Sequence, residues 1–400
     1  MLRMVIPSPE LDEQFIRRAI RLAMNGRGRV EPNPMVGCVI VKDGRVIGEG
    51  HTQPPGGPHA EPTALANCTE SPAGATAYVT LEPCCHTNKR TPPCAPRLIE
   101  ARIARVVYGC LDPNPPVNGN GVAMLRAAGI QVNGPVLEGA AKQLIEPFIR
   151  QIAGASPHIT LKWAETADGK VAGPGGQRIQ ISDREASALV HQLRARCDGI
   201  LVGIGTVLGD DPLLTPRDVE LRHKPTRIVL DRRLRLPLTS RLVQTAKEWP
   251  TVAIYNGFDG HSNSQPLKRR GVAVYGHDVT GTDDQEELRI AIDGVIRDKL
   301  HLRELLVEPG PTLAREFFAT RRVDRLWVIR SAIRVNDCTA PTAAPIPEWL
   351  VRTGTLRVGA DELTEYRQPM FDDASDCALP PVPSADFVLA REAGATSSRP

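Results

Sequence analysis

The sequence predicts two successive α/β domains followed by a polar tail. Three observations carry this. β-Branched runs of strand length alternate with helix-period segments over residues 1–150, the alternation restarts after Gly154, and the chain turns to Pro, Ser, Ala and Asp from Met370. The expected division is residues 1–150, 151–369 and 370–400, the last a disordered tail.

In the first domain, Phe15, Ile16, Ala19, Ile20, Leu22 and Ala23 fall at helical spacing and predict an amphipathic helix over residues 11–25. Two β-branched runs then flank Asp43-Gly44, a hairpin signal. A helix is expected to begin near His59, because Pro62 fits a first helical turn. "ATAYVTLE" reads as a buried strand, "PPCAPRLIEARI" as a helix opened by prolines, and "RVVYGC" as a strand. A helix near residues 122–128 and a strand at "GIQVN" complete the pattern. In the second domain the strand candidates are "HITLKWA", "GILVGIG", "TRIVLD", "TVAIYN", "GVAVYG", "ELLVEPG" and "RLWVIR". Helices are expected over residues 184–195 and 284–299, and "RVGADELTEYR" reads as one closing strand. Strands alternating with helices predict largely parallel sheets.

Composition narrows the function. Hydrophobic residues are 41% and charged residues 24%, which excludes a disordered or fibrous chain. A net charge of +3 and 4% aromatics give too little for a nucleic-acid partner, while a phosphorylated small molecule needs only a few local cations. The start "MLRMVIPSPELDEQ" has no signal-length apolar core and no run is long enough to span a membrane, so a cytoplasmic protein without a membrane partner is expected. Reduced thiols are then expected of the nine cysteines, and clustered ones favour a metal over a disulfide.

The cluster is "TLEPCCHTNKRTPPC", with "HAE" upstream. Hydrolytic zinc needs three protein ligands and one open position, and His59, Cys84 and Cys94 supply the three. Cys94 opens a helix, whose positive end favours the thiolate that zinc requires. Glu61 is then the proton shuttle, close to the metal without binding it. The pattern follows the H-x-E…P-C-x-x-C signature of zinc deaminases, with Cys84 and Cys94 much further apart than C-x-x-C. Cys85 remains an alternative to Cys84, and a closed structural zinc site completed by Cys85 or His86 remains an alternative to catalysis. Cys38, Cys68 and Cys110 read as structural. In the second domain, "GILVGIGTVLGDDP" and "VEPGPTL" are strand-to-helix turns rich in glycine and proline. They suggest a cofactor crevice without the G-x-G-x-x-G fingerprint.

"PNPMVGCVIVKDG", "PPGGPHAE", "YVTLEPCCHTNKRTPPC" and "DPNPPVNGNG" resemble the deaminase half of the bifunctional riboflavin-biosynthesis deaminase-reductases. "LKWAETADGKVA", "LRARCDGILVGIGTVLGDDPLLTPR" and "LLVEPGPTLAREFF" resemble the reductase half, in the same order along the chain. The resemblance implies a cytidine-deaminase-like layered domain and a dihydrofolate-reductase-like α/β domain. It implies zinc-dependent deamination of a phosphoribosylamino-pyrimidine, then NADPH-dependent reduction of its ribosyl group to ribityl. By matching position, Asn33 would hold the pyrimidine and Lys89 and Arg90 its phosphate. Ala164, Thr206, Asp210, Gly310, Pro311, Thr312 and Leu313 would contact NADPH. Arg194, Leu214, Arg217 and Glu308 would hold the second substrate. A homo-oligomer is implied by the resemblance alone.

The chain departs from that family's pattern at four places. One extra residue lies between the zinc cysteines, with Asn88 before Lys89-Arg90, and Thr52 stands where a histidine is common. Arg178 and Gln180 occupy the positions of a serine and a tryptophan, and "SAIRVNDCTAP" replaces the usual loop at 331–341. The alternative reading that follows is a deaminase whose second domain has lost hydride transfer.

Overall fold

The computed structural model describes residues 8–26, 30, 33–87, 91–221, 223–277 and 284–368. The expected tail, 370–400, lies outside them. The chain divides into two units, Met1–Ala155 and Ser156–Pro400.

The first unit runs α1 (Pro9–Ala23), β1 (Gly37–Lys42), β2 (Arg45–His51), α2 (Ala60–Ala66), β3 (Thr76–Leu81), α3 (Cys94–Glu100), β4 (Arg105–Cys110), α4 (Asn120–Ala127), β5 (Gln131–Asn133), α5 (Glu138–Leu144) and α6 (Glu146–Ile152). The break falls after α6, later than expected from the sequence. Ile145 and Glu146 at the start of α6 are buried. Helix α1 starts where Ser8 accepts a hydrogen bond from Leu11 N at 3.3 Å, Pro9 takes the first turn, and Glu10 and Asp12 complement the helix dipole. Its buried face is Phe15, Ile16, Ala19 and Ala23, the first three packed on Val39, Val41, Tyr78 and Val107 of the sheet.

Strand order is β2-β1-β3-β4-β5. The β1–β2 hairpin turns at Asp43-Gly44, β1 and β3 are antiparallel, and β3, β4 and β5 are parallel. The parallel strands β3 and β4 therefore end side by side at Leu81 and Cys110, and the chain beyond both emerges on one edge. Helix α2 lies very close to β2. A Cβ on Gly50 would stand 2.6 Å from Ala60 O and collide with Ala64 N, so only glycine allows this approach. Under α1, Asp12 receives both terminal nitrogens of Arg105, at 2.8 and 2.6 Å, and the Tyr78 hydroxyl at 3.1 Å.

The second unit runs β6 (His158–Glu165), α7 (Arg184–Arg196), β7 (Gly199–Gly203), α8 (Ile204–Asp210), β8 (Thr226–Leu230), α9 (Arg241–Gln244), β9 (Thr251–Asn256), α10 (Gly257–Arg269), β10 (Ala273–His277), α11 (Asp284–Ile290), β11 (Glu304–Val307), α12 (Pro311–Ala319), β12 (Arg325–Arg330), β13 (Val351–Val358) and β14 (Asp361–Arg367). The sheet order is β10-β9-β8-β7-β11-β6-β12-β14-β13, parallel from β10 to β12 and antiparallel through the last hairpin. Two apolar layers cover its faces. One centres on Val190, Leu193 and Trp327, the other on Ile292, Phe317 and Leu326.

Three details differ from the sequence expectation. The expected single closing strand is a hairpin, because Gly359 takes a left-handed turn (φ 60°) that folds β14 back on β13. The expected helix over 284–299 continues from α11 into a π-helical stretch, Ala291–Arg297. The glycine-rich turn after β7 is already helix α8.

Replacing Asp12 with Ala leaves the Arg105 guanidinium buried without its anion. The first unit is expected to lose about 3–5 kcal/mol, read as a lower urea midpoint than the parent.

Candidate functional site

The first site lies beyond the ends of β3 and β4. His59 is the residue before α2, Cys84 follows β3 by three residues, and Cys94 begins α3. Their ligand atoms all lie within 4.8 Å of one another. His59 Nδ1 is 3.6 Å from Cys84 Sγ and 3.4 Å from Cys94 Sγ. Zinc bonds of about 2.0–2.1 Å to nitrogen and 2.3 Å to sulfur, at a tetrahedral angle, put N and S about 3.6 Å apart, so the three atoms fit one zinc ion. Cys84 and Cys94 are buried while His59 is half-exposed, which leaves an approach from solvent.

Local hydrogen bonds prepare each ligand. Cys94 N donates to Cys84 Sγ at 3.3 Å, and Cys94 N and Ala95 N donate to Cys84 O, so the start of α3 supports a thiolate at Cys84. Thr91 Oγ1 lies 3.2 Å from His59 Nε2. With Nε2 bonded to Thr91, Nδ1 faces the sulfurs as the ligating nitrogen. The doubled cysteine separates by direction: Cys85 Sγ points to Pro116 O at 3.8 Å, and neither it nor His86 joins the ligand group among the described residues. No disulfide joins any of the described cysteines. Burial pushes the Cys110 thiol up to about 12 and the Cys38 thiol well above its ordinary value, so both are inert core residues.

Glu61, in the first turn of α2, is 3% exposed. Burial, aided by the Cys84 sulfur, raises its carboxyl to about 7 against the opposing pull of His59 and a hydrogen bond with Cys94. Asn33 is half-buried in the bend before β1, its amide bonded to Val30 O at 2.8 Å. Lys89, Arg90 and the neighbouring Asn88 lie outside the described residues. Thr52, where a histidine was expected, instead braces the start of β1. It donates its amide to Val36 O at 2.9 Å and accepts Val36 N at 3.3 Å.

The second site is a cavity of about 800 Å³ at the carboxyl ends of the parallel strands of the second unit. Ala164, Thr206, Asp210, Glu308, Gly310, Pro311, Thr312 and Leu313 all line it. Its volume suits a large cofactor or substrate. Gly310 caps α12 without any side-chain bond, so the first amides of that helix are left for an anion, which fits a dinucleotide phosphate. Arg194 reaches the cavity through Glu308, to which it donates Nε at 2.6 Å and Nη2 at 2.7 Å. Burial raises the Glu308 carboxyl, but the Arg194 charge and hydrogen bonds outweigh it, with help from Lys162, and the result is about 2. Leu214 and Arg217 do not line the cavity. Leu214 is buried with a left-handed backbone (φ 51°), and Arg217 is exposed.

Residues to which the sequence reading gave no role also appear. Lys162, from β6, lines the cavity beside Glu308, and burial lowers its pKa. A lysine at an inner position of an apolar strand is the signal that would have found it. Arg178 and Gln180 line the same cavity. Gln180 folds back to Ser182 O at 2.7 Å, and the charge of Arg178 opposes the burial that raises Asp210. Trp163 supplies an aromatic wall. The divergent loop at 331–341 is held by the "TADGK" segment: Asp168 accepts Val335 N at 3.2 Å and Asn336 N at 2.9 Å, and Lys170 Nζ donates to Ala340 O at 3.0 Å.

Comparison with known proteins gives two family matches. Residues 9–110 match the cytidine and deoxycytidylate deaminase zinc-binding region, and residues 157–335 match the RibD C-terminal domain. A riboflavin biosynthesis protein RibD from Aquifex aeolicus is 40% identical over 319 residues, covering 80% of this chain and 86% of that protein. One from Escherichia coli is 38% identical over 330 residues, covering 79% and 86%. The solved structure of a diaminohydroxyphosphoribosylaminopyrimidine deaminase/5-amino-6-(5-phosphoribosylamino)uracil reductase from Thermotoga maritima superposes with a TM-score of 0.76 at 34% identity, covering 90% of this chain and 99% of that one. Acinetobacter baumannii RibD, form 1, gives 0.74 at 31%, covering 91% and 100%.

Replacing Thr91 with Val removes the bond to His59 Nε2 and frees the imidazole to rotate. Zinc affinity is expected to fall about 10–100-fold, measured by competition with a chromogenic chelator.

Proposed function

The chain belongs to the RibD family of riboflavin biosynthesis proteins, and on that footing we propose how its side chains divide two reactions. It is a bifunctional enzyme of riboflavin biosynthesis, with a zinc-dependent deaminase unit and an NADPH-dependent reductase unit. The first reaction removes the amino group of 2,5-diamino-6-(5-phosphoribosylamino)pyrimidin-4-one by hydrolysis. The second reduces the ribosyl group, giving 5-amino-6-(5-phosphoribitylamino)uracil. A scaffold-only second unit is not favoured, because the reductase family match spans residues 157–335.

The observation that carries the first assignment is the convergence of His59 Nδ1, Cys84 Sγ and Cys94 Sγ beside buried Glu61. Zinc bound there supplies the Lewis acidity that makes water nucleophilic at neutral pH. Glu61 takes a proton from the attacking water on a carboxylate oxygen. It passes that proton to the pyrimidine ring nitrogen as the hydroxyl adds to carbon, then moves the proton of that hydroxyl to the amine, which leaves as ammonia as the carbon–nitrogen bond breaks and the carbonyl forms. Asn33 holds the pyrimidine, and Lys89 and Arg90 take the phosphate.

In the second unit NADPH supplies the hydride. Ala164, Thr206 and Asp210 hold the cofactor, and Gly310, Thr312 and Leu313 present main-chain amides at the start of α12 to its phosphates, with Pro311 shaping that turn without a donor of its own. Glu308 holds the substrate from the cavity wall, while Leu214 and Arg217, which lie off that wall, keep only the role that family position gives them. Arg194 spends two donors on Glu308 and so acts by fixing that carboxylate, which stays ionised to accept sugar hydroxyls. Lys162, beside Glu308, delivers a proton to the sugar ring oxygen as the ring opens and carbon 1 becomes the hydride acceptor.

A pair of variants separates the two assignments. Glu61→Gln is expected to lower deamination by at least about 10²-fold while zinc stays bound and NADPH oxidation on the deaminated substrate is unchanged. Lys162→Met is expected to do the reverse. Parent-like deamination by Glu61→Gln would remove Glu61 from its role.

A further inference from the structure

Glu82 is the first residue after β3 and is 2% exposed. It accepts main-chain donors from three places further along the chain. Its Oε2 receives Asp112 N at 3.2 Å and Gly119 N at 2.9 Å, and its Oε1 receives Val122 N at 3.0 Å. One carboxylate thus closes both ends of the loop 112–119 and ties it to the first turn of α4. The loop also has its own internal bonds, Asn114 N to Asp112 Oδ1 at 2.9 Å and Val117 N to Asn114 O at 2.8 Å.

The segment that Glu82 holds lies directly on the metal ligands. Val117 is fully buried and forms one small apolar cluster with Cys84 and Cys94. Pro116 O receives the Cys85 thiol. A Cβ on Gly121 would collide with Pro83 O, so α4 approaches the "EPCC" turn as closely as a backbone can. The turn carrying Cys84 is therefore gripped from two sides, by α3 through Cys94 N and by the loop through Val117.

We propose that Glu82 is a positioning residue for the deamination, which seats Val117 against Cys84 and Cys94 and thereby fixes both sulfurs and keeps water from that side of the zinc. The proposal rests on the reading of His59, Cys84 and Cys94 as zinc ligands. Only a carboxylate offers acceptors on both oxygens for three N–H groups. Glutamine would turn one oxygen into an NH₂ and set donor against donor.

The test uses the full chain with Glu82→Gln and Val117→Ala, measuring zinc release to excess chromogenic chelator, deaminase kcat and KM, and NADPH oxidation on the deaminated substrate. Both variants are expected to release zinc at least about tenfold faster and to lower deaminase kcat. The reductase rate of the same samples, which reports an intact chain, is expected to stay at the parent value. Parent-like zinc release in Val117→Ala, or in a soluble Glu82→Gln, overturns the proposal. So does a joint loss of both activities in Val117→Ala, which marks general support of the fold. If Glu82→Gln is insoluble, Val117→Ala decides alone. Zinc retained at the parent level by Cys84→Ser would separately overturn the ligand reading, and this proposal with it.

Discussion

Two sulfurs and an imidazole nitrogen held within 4.8 Å of one another are the constraint on which the first unit depends. Such a group forms only if three separate chain segments stop at one place. Parallel pairing of β3 with β4 brings Glu82 and Cys84 to the sheet edge, and the glycine contact at Gly50 lets α2 come close enough to β2 to deliver His59. Helix α3 then begins at Cys94 with its amides already turned to Cys84. Glu61 follows from the same geometry. Sitting two residues after a ligand, on the buried face of the first turn of α2, it cannot be far from the metal and cannot be well hydrated.

The second unit solves a different problem, that of keeping several charges in one cavity. Glu308 and Arg194 neutralise each other in a forked pair, and Lys162 stands near Glu308 from within β6. The pair is only partly shielded, with about one-sixth of each side chain exposed, so its value lies in fixing geometry more than in stability. The divergent loop at 331–341 does not leave this cavity unwalled. Asp168 and Lys170 hold its main chain, and Pro341 still lines the site. These bonds fix the main chain of the loop at Val335, Asn336 and Ala340 whatever its side chains are.

The strands, the first hairpin and the metal ligands were legible because each has a short-range signature: β-branched runs, Asp-Gly, and cysteines next to prolines. The motif residues Thr206, Asp210 and Gly310 come together along one cavity, although Asp210 lies at the far end of α8 rather than at a strand-to-helix junction. What stayed illegible depends on long-range contact. Thr91 acquires its meaning only when the loop brings it to His59, and Glu82 only when residues some thirty positions later return to it. Arg194 was legible as a cation but not as one already committed to Glu308. The last hairpin was missed because Gly359 reads as a weak interruption until a partner strand is present.

The most direct test of the account is X-ray absorption at the zinc edge of the purified protein. The account predicts two sulfur neighbours at about 2.3 Å and nitrogen or oxygen neighbours at about 2.0–2.1 Å, one of them from an imidazole. The sulfur count should fall to one in Cys84→Ser and remain two in Cys85→Ser. A third sulfur in the parent, or a count lowered by Cys85→Ser, would contradict it.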